Sequence, residues 1–165
     1  MDTRDHDTAH AEIGADRLIG LLNLLVIDDD AVQRMLIAGA AEKAGYAVTH
    51  ATSCAEGIAL IQQRPFDCVT LDLMLDDGDG SDVMRAMAGA HYAGPLIVIS
   101  GMNSERRRAS RALARSLGMD LLQSFPKPID LAALRISLAN IRSNVAGLPI
   151  VHSWGEVCGP RFEHG

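Results

Sequence analysis

The chain has 165 residues, 48% apolar and 22% charged, with a formal net charge of −6 at pH 7. This suits one ordinary globular domain; it excludes a disordered or fibrous chain and argues against a generally basic nucleic-acid binder. The longest apolar run, Leu18–Ile27, is broken by Gly20 and Asn23 and falls short of the ~20 residues that span a bilayer, and the polar start Met1–Asp16 is no secretory signal, so a cytoplasmic location is expected.

The first clear element is the run Leu24-Leu25-Val26-Ile27, which reads as a buried parallel strand and ends in Asp28-Asp29-Asp30. Ala31–Lys43 carries Val32, Met35, Leu36 and Ala40 at helical spacing, with Gly45 placed to end the helix. A short strand over 46–49 follows. Ser53-Cys54-Ala55-Glu56 reads as a capping box that opens a helix to about Gln63, before Pro65. Phe66–Leu71 is a third strand, ending at Asp72, and Asp76-Asp77-Gly78-Asp79-Gly80 has the composition of a turn. Ser81–Ala90 places Val83, Met84 and Met87 on one helical face, and Pro95–Ser100 is a fourth strand. Asn103 can cap a helix to Leu117; Leu121–Phe125 makes a fifth strand, and Asp130 caps a last helix to about Val145. Strict strand–helix alternation predicts an open parallel sheet with helices on both faces, whose site lies at the carboxyl ends of the strands. The flanks, 1–23 with a short helix compatible with Ile13, Leu18, Leu21 and Leu22, and the irregular 146–165, are each too short for a further output domain. A stand-alone switch is therefore expected.

In such a sheet Asp28, Asp29 and Asp72 converge, because neighbouring strands lie about 4.8 Å apart. Like charges ~4 Å apart repel by about 4 kcal/mol at an effective dielectric of 20, so the cluster calls for a compensating cation. All-oxygen donors favour a hard divalent ion such as magnesium. Two other strand ends add a hydroxyl, Ser100, and an ammonium, Lys127. Acid, cation, hydroxyl and point positive charge together suit phosphoryl transfer, with Asp72 as the nucleophile.

Over 24–145 the chain resembles the receiver domains of two-component response regulators. The matching residues are Leu24-Leu25-Val26-Ile27-Asp28-Asp29-Asp30, Asp72-Leu73-Met74-Leu75 followed by Asp79-Gly80, Ile97-Val98-Ile99-Ser100-Gly101, and Lys127-Pro128. The resemblance implies a flavodoxin-like (βα)5 α/β fold with strand order 2-1-3-4-5. It implies phosphorylation of Asp72 by a sensor histidine kinase or phosphotransfer protein, with at most self-phosphorylation and autodephosphorylation as enzyme activity. Magnesium would be held by Asp29, Asp72 and the Met74 carbonyl, with Asp28 nearby through water, and Ser100 and Lys127 would contact the phosphoryl group. Output would run through the fourth helix, fifth strand and fifth helix, where Arg107, Arg111, Arg115 and Phe125 are the candidates. The stretch from Ser100 to Lys127 looks most like receivers fused to EAL-type phosphodiesterases, although the sequence contains no EAL domain.

Two positions depart from the pattern. Asp76 stands where proline is usual, which predicts a more flexible loop, and Ser124 stands where a switching aromatic is usual, with Phe125 one place later. Met74 and Met102 flank the expected water route for dephosphorylation. The departures keep a non-switching interaction module open as an alternative; a magnesium-dependent aspartate-nucleophile phosphatase ranks lower, because Met74 replaces its usual second aspartate. An EF-hand reading of 77–88 fails, since Asp82 and Ala88 occupy the glycine and glutamate positions. Cys54, Cys68 and Cys158 show no metal spacing and read as reduced thiols. For the arginine stripe the bland reading is a solvated helix face, with Ala109, Leu113 and Leu117 turned inward; the sharper one is an acidic protein partner. Neither a nucleic acid nor a membrane is expected as a partner, and homodimer formation stays open.

Overall fold

The computed structural model describes residues 20–101, 104–146, 150–151 and 157–158. Five parallel strands, β1 (Leu22–Ile27), β2 (Tyr46–Ala51), β3 (Cys68–Asp72), β4 (Pro95–Ser100) and β5 (Asp120–Pro126), lie in the order β2-β1-β3-β4-β5. The helices between them are α1 (Ala31–Lys43), α2 (Cys54–Gln63), α3 (Gly80–Gly89), α4 (Ser104–Ser116) and α5 (Leu131–Ala146). This is the doubly wound, flavodoxin-like order expected from the sequence.

The central strands are mostly apolar because both faces of the sheet are covered, with Thr70 the polar residue inside β3 and Asp72 and Ser100 at the strand ends. Leu25, Ile27, Val69, Leu71, Leu96 and Val98 pack against α2, α3 and α4. Leu24, Val26, Cys68, Ile97 and Ile99 pack against α1 and α5, through Ile37, Ala41, Leu134 and Leu138. Each of the leucines, isoleucines and valines among them, at 0–1% exposure, contributes roughly 1.5–3 kcal/mol of apolar burial. No helix among the described residues is long and apolar enough to cross a membrane.

Local chemistry sets the helix ends. Asp30 caps α1, its Oδ1 accepting from the amides of Val32 (2.9 Å) and Gln33 (3.1 Å). Gly45, at φ +92°, turns the chain from α1 toward β2 in a conformation that side chains resist. Asp130 Oδ1 accepts from the Ala133 amide (3.0 Å) at the start of α5. The α2 capping box closes differently from its usual form. Ser53 Oγ accepts from the Glu56 amide, but Glu56 reaches back to the amide and hydroxyl of Thr52 rather than to Ser53.

Three expectations shift. The loop after β3 is an ordered pair of two-residue strands, Met74–Leu75 against Gly78–Asp79, rather than a simple turn, and α3 starts at Gly80 with Asp79 as its cap. β1 begins at Leu22, two residues before the expected domain start. In the tail expected to be irregular, Ile150–Val151 pairs antiparallel with Val157–Cys158. The expected N-terminal helix, and the Met102 and Asn103 roles, lie outside the described residues.

Candidate phosphoacceptor site

The register of the sheet builds the site. Ile27 pairs with Leu71 and Asp72 with Ile99, so Asp28 ends β1 beside Asp72, and Ser100 follows one place on in β4. Asp28 is 1% exposed, Asp72 2% and Ser100 1%. Carboxylate oxygens of Asp28, Asp29 and Asp72 lie within 4.8 Å of one another.

Asp72 is held from both sides. Its Oδ1 accepts from the Met74 amide at 3.0 Å, and its Oδ2 accepts from Lys127 Nζ at 2.7 Å. The Lys127 backbone is fixed by its amide donating to the Ser100 carbonyl at 2.9 Å. Partial burial works against the lysine's charge, but the hydrogen bond and charge of Asp72, with Asp28 and Asp29 behind, hold its pKa above the ordinary value. Asp28 Oδ1 accepts from the Asp30 amide (2.9 Å), whereas Oδ2 has no hydrogen-bond partner among the described residues and meets Lys127 Nζ only at 3.9 Å. Burial, reinforced by the Asp72 and Asp29 charges, pushes the Asp28 carboxyl up to about 6. An all-oxygen anionic cluster of two buried carboxylates and the half-buried Asp29, with one oxygen of Asp28 left over, fits a hard divalent cation.

The loop after Asp72 adds contacts around the site that the sequence does not signal. The Asp76 amide donates to Asp29 Oδ2 at 2.9 Å. The Asp77 carboxylate spans the first turn of α2, Oδ1 accepting from the Cys54 amide (2.8 Å) and Oδ2 from Ala55 (3.2 Å), which holds its pKa below the ordinary value. The predicted flexible loop is thus tied down at two points. Gly80 has its own reason: a Cβ there would meet Leu73 Cα at 3.0 Å and the Asp72 carbonyl oxygen at 3.2 Å, so a side chain would press on the acceptor backbone where α3 starts. Arg34 folds back from α1 to donate to the Asp28 carbonyl at 2.6 Å.

A family model described as the response regulator receiver domain matches residues 24–139. The chain belongs to the response regulator receiver family. It is 40% identical over 102 residues to the acid tolerance regulatory protein ActR of Rhizobium meliloti, covering 61% of this chain and 50% of that protein. It is 38% identical over 90 residues to the photosynthetic apparatus regulatory protein RegA of Cereibacter sphaeroides, covering 54% and 46%. The chain spans about half the length of these curated relatives. Among solved structures, a response regulator from Colwellia psychrerythraea superposes with TM-score 0.67 at 28% identity, covering 76% of this receiver and 99% of that chain. A response regulator from Burkholderia pseudomallei with a phosphorylated aspartic acid, calcium ion and citrate superposes with TM-score 0.61 at 27% identity, covering 75% and 70%.

The remaining expected residues fall as follows in this receiver. Ser100 Oγ donates to the Gly101 carbonyl at 3.1 Å. Met74 is 55% exposed beside the site. On α4, Arg111 and Arg115 are exposed, Arg107 is half-buried, and the inward stripe is Ser110 and Ala114 flanked by Leu113; Ala109, expected inside, is exposed. Phe125 is not a surface residue. It pairs with Ile99 and is 4% exposed among Ile97, Leu134 and Leu138, on the α5 side. The pleat instead turns Ser124, paired with Val98, toward the α4 side, where its Oγ is buried with no partner among the described residues.

Proposed function

We propose that this receiver accepts a phosphoryl group on Asp72 from a sensor histidine kinase or phosphotransfer protein, and thereby switches a protein-binding surface around α4, β5 and α5. The observation that carries the reading is the Asp72 carboxylate itself: buried, held by one amide and one ammonium, and flanked by two further carboxylates. An Asp72 oxygen attacks phosphorus; the bond from phosphorus to the donor nitrogen or acyl oxygen breaks, its electron pair leaves with the donor, and an acyl phosphate remains. A magnesium ion held by Asp29, Asp72 and the Met74 carbonyl, with Asp28 through water, would neutralise the phosphoryl oxygens. Lys127, already on Asp72, moves its contact to the new phosphoryl oxygens, and the Ser100 hydroxyl turns from Gly101 to the same group. That re-pairing biases the elements behind Ser100 and Lys127. Arg111 and Arg115, exposed beside exposed Leu122, suit an acidic partner with an apolar anchor.

A donor protein needs a surface beside Asp72, and α1 offers one. Its first turns follow the acidic cluster and leave Val32, Met35 and Leu36 exposed at 61%, 66% and 45%.

Acetyl phosphate with magnesium, read by intact mass, tests the proposal. One phosphoryl adduct on wild type and none on Asp72→Asn is expected. No adduct on wild type favours the non-switching interaction module, which the missing aromatic at Ser124 also suits; steady turnover of an external phosphoester favours a phosphatase.

A further inference from the structure

The loop between β3 and α3 lacks the proline usual at position 76, and the structure holds it by contacts that proline could not make. A proline has no amide to donate, whereas the Asp76 amide is on Asp29 Oδ2 at 2.9 Å. One residue on, each oxygen of the Asp77 carboxylate takes a separate backbone amide of α2, at 2.8 and 3.2 Å. Asp76 and Asp77 form the tip of the Met74–Leu75/Gly78–Asp79 ladder, so what fixes the tip also fixes Met74 and the amide that holds Asp29.

We infer that Asp77 is the positioning residue of the cation site: by fastening the loop to the start of α2 it sets where Met74 and the Asp76 amide stand relative to Asp29. The inference rests on the reading of Asp28, Asp29 and Asp72 as the magnesium site. It gives α2 a part in the chemistry, because its first two amides, through Asp77, orient groups around the cation from outside the coordination sphere. Such outer contacts typically change metal affinity by 10–100-fold when removed.

Magnesium titration calorimetry on the full chain, without phosphodonor, tests it alongside thermal unfolding of each variant. Asp77→Ala should weaken magnesium binding on the order of tenfold. Asp77→Asn removes the same charge but keeps one acceptor for an α2 amide, and should lose distinctly less. Ser53→Ala removes the other cap of the same helix end, the 3.1 Å bond to Glu56, and should lower the melting temperature while leaving magnesium affinity unchanged. Equal weakening in Asp77→Ala and Asp77→Asn would make the effect one of charge alone and overturn the inference. So would unaltered affinity in Asp77→Ala, or weakening by Ser53→Ala as large as its own. A wild type that takes up no magnesium overturns the reading of the site itself, and is told apart from these outcomes before any variant is made.

Discussion

Around β1 and β3 every loop at the carboxyl edge is tied to a neighbour, whereas α4 rests on the sheet through small buried Ser110 and Ala114 and half-buried Leu113, with half-buried Leu117 just past its end. On the first side Arg34 reaches the Asp28 carbonyl, the Asp76 amide reaches Asp29, and Asp77 reaches two α2 amides. Grooves do not distinguish the two sides: about 260 Å³ and about 300 Å³ lie along the flanks of α4, and about 550 Å³ lies beside α1, over Met35 and Glu56, so the contrast is in the ties and in the size of the buried side chains. The difference separates two tasks. A cation site needs fixed oxygens, and a switching surface needs an element that can move without unpacking the core.

The largest expected effect tests that contrast in packing. Leu134→Ala on α5, at a site 0% exposed, should cost about 2–5 kcal/mol in urea unfolding, and Leu113→Ala on α4, half-buried beside a groove, about 1 kcal/mol. Equal losses would place α4 as firmly on the sheet as α5.

The next concerns the tied half and pH. An unfolded aspartate titrates near 3.8 and folded Asp28 at about 6, so between these values the folded state binds the proton more tightly. Asp28 therefore lowers stability as pH rises from about 4 to about 6, by at most ~3 kcal/mol, and the loss persists above that window. Without metal, Asp28→Asn should be more stable than wild type at pH 7.5, and the gap should close as pH falls toward 4. A gap that stays constant with pH would show that burial of this carboxylate is relieved some other way.

The smallest effect belongs to the loose half. Arg111→Glu with Arg115→Glu should change stability by no more than ~0.5 kcal/mol, since both side chains are exposed. The same pair should weaken binding of the phosphorylated receiver to the acidic partner proposed above and flatten the salt dependence of that binding. Unchanged affinity would remove the arginine stripe from the output surface.

The architecture and the centre of the site are legible in the order of the residues. Runs such as Leu24–Ile27 are apolar on both faces, the mark of a central strand, and the alternation with helices puts the strand ends on one edge. Asp28, Asp72, Ser100 and Lys127 punctuate those runs, so their convergence was legible from order alone. Tertiary structure decided everything that depends on parity or on the approach of two loops. The register irregularity between Leu96 and Ile97 leaves Leu122 without a partner in β4, and the parity beyond it turns Phe125 inward and Ser124 toward α4. Leu113 on α4 and Leu117 just past its end pack inward as their spacing indicates, whereas Ala109 faces out and the most buried positions fall to Ser110 and Ala114, residues too small or too polar to mark a core face in the sequence. The Asp77 fork joins residues 22 and 23 positions apart, and in sequence it is one more acid in an acidic turn. Only the packing of α2 against that loop gives the carboxylate two amides to hold, and with them a task.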